Sequence, residues 1–177
     1  MSRLAISLLL LALGCAPAWA LKSDRTKQAE LESDQAERDM AKGISVYTGN
    51  VVLTQGTTRL TADKMTVHTN AKGELVKAVA EGREVTFREL LDGQQEYIDA
   101  RAPYMEYVAT DGGHITLKGG ATLTQGRNSF SGETIRYDMS RELITASGDP
   151  QGRERIRMIY VPEQKPDQPA TTERPRQ

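Results

Sequence analysis

Cysteine is almost missing from this chain: Cys15 is the only one in 177 residues. A disulfide framework and a multi-thiolate metal centre are thereby excluded. Histidine is nearly as scarce. His68 and His114 each stand alone, without a local carboxylate cluster, and read as solvent-facing side chains rather than metal ligands. The fifteen glycines form no G-x-G-x-x-G and no P-loop, and no serine sits in a G-x-S-x-G setting. Neither sign of charge prevails, with 23 Lys and Arg against 24 Asp and Glu, which argues against a nucleic-acid binder. With only Phe87 and Phe130 as phenylalanines, any interior must be aliphatic and methionine-rich. Past residue 20 no apolar run approaches the roughly 20 residues that span a bilayer, and no stretch of helical length keeps a 3.6-residue period. No catalytic residue, metal ligand or cofactor is assigned.

The N-terminus supplies the first positive signal. Arg3 is a short cationic region, Leu4 to Leu13 an apolar one, and Ala18-Trp19-Ala20 has the small-x-small form of a signal-peptidase site. Residues 1–20 therefore read as a signal peptide, with Leu21 as the mature N-terminus and Cys15 discarded. Ala12-Leu13-Gly14-Cys15 resembles a lipoprotein box, but its leucine and small residue stand in reversed order. Residues 162–177 read as a disordered tail: four prolines alternate with polar residues, and Ala170 is the only other apolar side chain. Residues 21–161 are left as one domain of suitable length.

Within that domain a unit recurs four times. It opens as Leu31-Glu32-Ser33-Asp34, Leu60-Thr61-Ala62-Asp63, Ala100-Arg101-Ala102-Pro103 and Phe130-Ser131-Gly132-Glu133, with a further apolar position two residues on at Ala36, Met65, Met105 and Ile135. A glycine follows the acid-type position by 15, 19, 16 and 15 residues, at Gly49, Gly82, Gly119 and Gly148. Two copies are nearly literal, Gly49-Asn50-Val51-Val52-Leu53-Thr54-Gln55-Gly56 and Gly119-Gly120-Ala121-Thr122-Leu123-Thr124-Gln125-Gly126. Such periods signal stacked supersecondary units sharing one core. The acids, one per unit, suit backbone N–H acceptors better than a catalytic carboxylate pair, which must be clustered.

The local period is two. Met65 and Val67 alternate with Thr66 and His68, Ile135 and Tyr137 with Arg136 and Asp138, Ile115 and Leu117 with Thr116 and Lys118. Alternation of this kind, broken by Gly, Asn and Asp turns, predicts an all-β meander of many short strands with one buried face. Arg83 to Leu91 could also be a helix, yet the Val85-Thr86-Phe87 alternation favours a strand. From Ile44 to Tyr47 the copies disagree on the inward parity, consistent with a bulge. Arg38 replaces an apolar residue at the inward position matching Val67, marking the first unit as a cap. The inward positions either close on themselves as an ordinary core or line a groove for flexible acyl chains, for which methionine is well suited.

Val46-Tyr47-Thr48-Gly49-Asn50-Val51-Val52-Leu53-Thr54-Gln55-Gly56, then Leu60-Thr61-Ala62-Asp63-Lys64, resembles the OstA-like family of lipopolysaccharide-transport proteins, the family of LptA. Leu31-Glu32-Ser33-Asp34-Gln35 and Phe130-Ser131-Gly132-Glu133-Thr134-Ile135-Arg136-Tyr137 extend the likeness over most of the mature domain. The resemblance implies a V-shaped β-jelly roll, open at both ends, and a non-enzymatic role in the periplasm. It implies binding of the lipid A acyl chains of lipopolysaccharide, with contacts at Leu31, Met40, Leu53, Met65, Val67, Phe87, Met105, Tyr107, Leu117, Leu123, Ile135 and Tyr137. The implied partners are an inner-membrane LptC-like protein, the N-terminal domain of the outer-membrane translocon LptD, and further copies head to tail. The expected pairing edges are Leu31 and Asp34 at one end and Ile156, Met158 and Tyr160 at the other. The competing reading is a structural β-solenoid adaptor that joins partners by its edges and carries no lipid.

Overall fold

The computed structural model describes residues 27–90, 96–110, 112–141, 143–149, 151–152 and 154–162. The expected signal peptide with Cys15, and the tail from residue 163, lie outside the described residues. Ten strands follow one another as β1 (Ala29–Glu32), β2 (Gln35–Asp39), β3 (Ile44–Gln55), β4 (Thr58–Thr69), β5 (Leu75–Leu90), β6 (Tyr97–Val108), β7 (His114–Gln125), β8 (Asn128–Asp138), β9 (Leu143–Ser147) and β10 (Arg157–Ile159). They form a single antiparallel sheet in sequential order. β1 and β2 pair with opposite halves of β3, and β9 and β10 with opposite halves of β8. The sheet is therefore a row of bent strands, of which the first and last are interrupted at the bend.

The short strands expected from the alternation join end to end, giving six central strands of 11 to 16 residues. Register slips in the middle of every central pairing, at Thr48/Val51, Thr61/Lys64, Glu81/Val85, Arg101/Tyr104 and Lys118/Ala121. A bulge kinks its strand, and these line up into one spine that folds the sheet into two facing arms. We call the half holding β1 and β10 the first arm and the half holding β2 and β9 the second. β3 and β7 cross the spine with two successive left-handed residues, Gly49-Asn50 (φ 81° and 46°) and Gly119-Gly120 (φ 89° and 82°). Left-handed backbone favours glycine and tolerates asparagine, which is why these two stretches are the near-literal copies in the sequence.

The repeat spacing now has a physical meaning. In the first three units the acid-type residue and its glycine meet across a second-arm hairpin at the spine. Asp34 N donates to Gly49 O at 2.9 Å, and a Cβ at Gly49 would collide with the Asp34 carboxylate. A Cβ at Gly82 would stand 3.0 Å from Asp63 N, and one at Gly119 3.2 Å from Pro103 Cγ. The interval of 15 to 19 residues is the chain needed to run out along the second arm and back. The expected acceptor role holds at Asp63, whose Oδ2 takes the Arg83 N–H at 3.0 Å; at Asp34 the donor is instead the Asn50 side-chain amide, 2.9 Å away.

Candidate functional site

Residues opposite one another in neighbouring strands share a face, so the register fixes which side chains look into the V. On the first arm one inward rung runs Leu31, Leu53, Leu60, Phe87, Ala100, Leu123, Phe130, Met158. It holds the opening position of all four repeats. On the second arm a rung runs Ala36, Tyr47, Met65, Ala80, Met105, Leu117, Ile135, Ala146, holding the second apolar position of all four. Beyond it lies Arg38, Ser45, Val67, Ala78, Tyr107, Ile115, Tyr137, Ile144. Between the arms, at the spine, Val51, Val85 and Ala121 are 0–1 % exposed. Met65, Met105, Leu117 and Ile135 are buried as well, and the core cluster draws on both arms. A lone sheet cannot dry its face; each arm covers the other.

Eleven of the sequence-derived inward residues fall on these rungs: Leu31, Leu53, Met65, Val67, Phe87, Met105, Tyr107, Leu117, Leu123, Ile135 and Tyr137. Met40 does not. It lies in the turn after β2 and is 83 % exposed, because a four-residue turn separates the strands there and an apolar side chain in a turn has no face to join. Leu60, Phe130, Tyr47 and Ala100 belong to the rungs but not to that set. Their signal was the frame itself, since Leu60, Ala100 and Phe130 open their repeats. The parity at residues 44–47 is resolved: Ser45 and Tyr47 face inward, and the bulge lies just after them, at Gly49-Asn50. Arg38 keeps an inward register at the N-terminal mouth of the V.

The rungs run out to solvent at the C-terminal mouth, where Ile144 is 45 % and Met158 69 % exposed. Among the described residues both ends of the sheet are unpaired edges. The N-terminal edge is β1 and β2, containing Leu31 and flanking Asp34. The C-terminal edge contains Met158 in β10, flanked by Ile156 and Tyr160, and also β9, which the sequence did not reveal as an edge.

The outer face is polar. Lys77 Nζ lies 2.7 Å from Glu106 Oε2, which also accepts the Tyr104 hydroxyl at 2.9 Å, while Lys118 lies over the Tyr104 ring. The Lys77 hydrogen bond holds the Glu106 carboxyl below its ordinary range. Burial, then the hydrogen bond to Glu106, pushes the Tyr104 hydroxyl up to about 12, so it keeps its proton at neutral pH. A depressed carboxylate stabilises the fold above its unfolded pKa, and that contribution is lost as pH falls through the folded value. Glu106→Gln should therefore lower the melting midpoint at pH 7, with the deficit closing below about pH 4; thermal melts from pH 7 to 3 check this. A cavity of about 250 Å³ on the convex spine is lined by Arg83, Glu84, Arg101, Ala102, Pro103, Gly119, Gly120 and Thr122. It is polar and lies outside the apolar rungs. Among the described residues no group of His, Cys, Asp and Glu is arranged to hold a metal.

Comparison with known proteins places this architecture. Residues 30–143 match the family model described as LptA/(LptD N-terminal domain) LPS transport protein. The chain is 32 % identical to lipopolysaccharide export system protein LptH of Pseudomonas aeruginosa, over 87 % of this chain and 90 % of that protein. It is 34 % identical to lipopolysaccharide export system protein LptA of Escherichia coli K12, over 85 % and 80 %. The crystal structure of P. aeruginosa LptH, the LptA-homologous periplasmic component of that organism's lipopolysaccharide transport device, superimposes with a TM-score of 0.69 at 30 % identity, covering 79 % of this chain and 99 % of that one.

Proposed function

This chain belongs to the LptA/(LptD N-terminal domain) LPS transport family, and from that premise we propose that it is a non-enzymatic periplasmic bridge carrying lipopolysaccharide from the inner to the outer membrane. The observation that carries the proposal is the pair of apolar rungs facing each other across a V that is open at both ends. Acyl chains enter between the arms, contacting Met65, Met105, Ile135, Tyr107 and Tyr137 on one side and Leu53, Phe87 and Leu123 on the other. Each buried CH₂ contributes about 0.8 kcal/mol, enough for several chains to offset spreading the arms. The free edges pair with an LptC-like inner-membrane protein, with the N-terminal domain of LptD, and with further copies of this chain, by β-augmentation.

One observation favours the adaptor reading. The spine is packed to 0–1 % exposure at Val51, Val85 and Ala121, leaving no room for a chain at that depth unless the arms move apart. Photo-crosslinkers separate the two. Placed at Met65, Met105, Tyr107 or Tyr137, they should capture lipopolysaccharide in cells; placed at Thr66, Arg136 or Asp138, on the outer face, they should not. Lipid A in the organic extract of the purified protein, read by mass spectrometry, is the companion result. Equal capture from both faces, or none from either, rules out carriage in the V.

A further inference from the structure

The two lips of the V differ in chemistry. On the second arm the last inward rung is polar only at its N-terminal start, Arg38 and Ser45, and is apolar and aromatic from β4 onward through Val67, Tyr107, Ile115 and Tyr137. On the first arm the last inward rung begins at the exposed Ala29 of β1 and continues over β3 to β8 as Gln55, Thr58, Glu89, Ile98, Gln125 and Asn128, these six half-buried and polar at all but Ile98. Thr58 Oγ1 donates to Glu89 Oε1 at 3.0 Å, joining β4 to β5 within this rung. Two residues along each strand, roughly 7 Å, separate the polar rung from the apolar one below it, and six strands at about 4.8 Å give it a length near 24 Å.

The rung is not cationic. Arg59 and Arg88 lie one residue away and therefore on the opposite face, and the one charged side chain on the rung itself is the Glu89 carboxylate. Such a surface repels phosphate and suits hydroxyls and amides, which a Gln side chain can serve as donor and acceptor together; Asn128 enters through its amide N–H, since its Oδ1 accepts the Val161 N–H at 2.9 Å. Gln55 and Gln125 hold the same place in the two near-literal copies of the repeat, so the sequence puts an amide on this lip twice.

We propose that the first-arm lip is a rail that hydrogen-bonds the saccharide hydroxyl and amide groups of a glycolipid whose acyl chains lie between the arms. The head then leans to one side of the V, while the second lip presses on chain. This rests on the carrier reading above.

The test uses the mature chain and the Gln55→Met/Gln125→Met variant, since methionine keeps the length of glutamine without its hydrogen bonds. Both proteins are titrated by calorimetry with two probes of equal chain length below their micelle concentrations, an alkyl maltoside and a fatty acid. Losing two hydrogen bonds of about 1 kcal/mol each should weaken the maltoside at least tenfold, and leave the fatty acid unchanged or tighter. Gln55 Nε2 also donates to Lys27 O at 2.9 Å, so thermal melts accompany the titrations. If the double variant melts early, Thr58→Val takes its place, with a loss of about fivefold expected for one hydrogen bond. Unchanged maltoside binding, or an equal loss for both probes, overturns the rail and leaves the carrier reading standing. A wild type that binds neither probe removes the carrier reading, and the rail with it.

Discussion

Ile135→Asp should leave little folded protein. Ile135 is 2 % exposed on the second-arm rung, between Leu117 and Ala146. Truncating such a residue costs roughly 2–5 kcal/mol from lost burial and the void left behind. An unpaired carboxylate in its place adds the cost of desolvating a charge or keeping its proton against solution pH. Against a total stability of about 5–15 kcal/mol for a domain, the sum is decisive. Thr66→Asp, on the outer face opposite Val46 and Val79, should change stability by no more than about 0.5 kcal/mol. Denaturant titrations followed by the far-ultraviolet strand signal measure both. A folded Ile135→Asp with a wild-type midpoint would mean that the arms do not seal one another.

Blocking the C-terminal edge should have the second large effect. As a consequence of the bridge proposal, the chain should form open head-to-tail oligomers as concentration rises, the heterologous kind that does not close. Charge favours that polarity. The N-terminal edge carries Glu30, Glu32, Asp34, Glu37 and Asp39 against Arg38, with Lys42 paired to Asp39, whereas the C-terminal edge carries Arg157 in β10 and Arg155 beside it against Glu154, next to exposed Leu143, Ile144, Ile156, Met158 and Tyr160. Met158→Pro alone removes a donor from β10 but leaves β9 free. Met158→Pro with Ile144→Pro disables both halves of the edge strand. The double variant should shift association at least tenfold in concentration, the equivalent of about 1.4 kcal/mol, and the single variant by less. Sedimentation velocity across a wide concentration range decides it. A wild type that remains monomeric throughout would remove edge pairing between copies.

The rungs were legible because the repeat frame and the strand alternation gave the same answer. Met65, Met105 and Ile135 share a frame position and share a rung; so do Val67, Tyr107 and Tyr137. What the sequence hid is the spine. Inward parity changes within β4, from Ala62 to Met65, and within β8, from Gly132 to Ile135, but not within β3 or β7. One extra residue or two left-handed ones produce these outcomes, and neither alters the apolar count. β9 was hidden for a related reason. The chain between β9 and β10 intrudes at the bend, where Asp149 N donates to Glu154 O at 2.9 Å, so the two halves of the last strand look unrelated in sequence. Met40 misled because hydrophobicity alone does not say whether a residue stands on a face or in a turn. The polar lip was present in the text as a repeated Thr-Gln-Gly, which reads as a turn until the register shows that both glutamines look inward.

Every ladder in this sheet joins strands that are neighbours along the chain or, for β1 with β3 and β8 with β10, next but one. Proteins whose contacts are local in sequence fold faster than those that must first close long loops. A β protein assembled this way need not wait for its C-terminus. Each completed hairpin offers one free edge on which the next can zip, so order can advance in step with a chain delivered N-terminus first. Proteins built on Greek-key connections, whose first strand waits for a distant partner, have no such option. The same linearity predicts how order is lost: amide exchange should be fastest in β1, β2, β9 and β10 and slow progressively toward β5 and β6, in the manner of a stack melting from its ends.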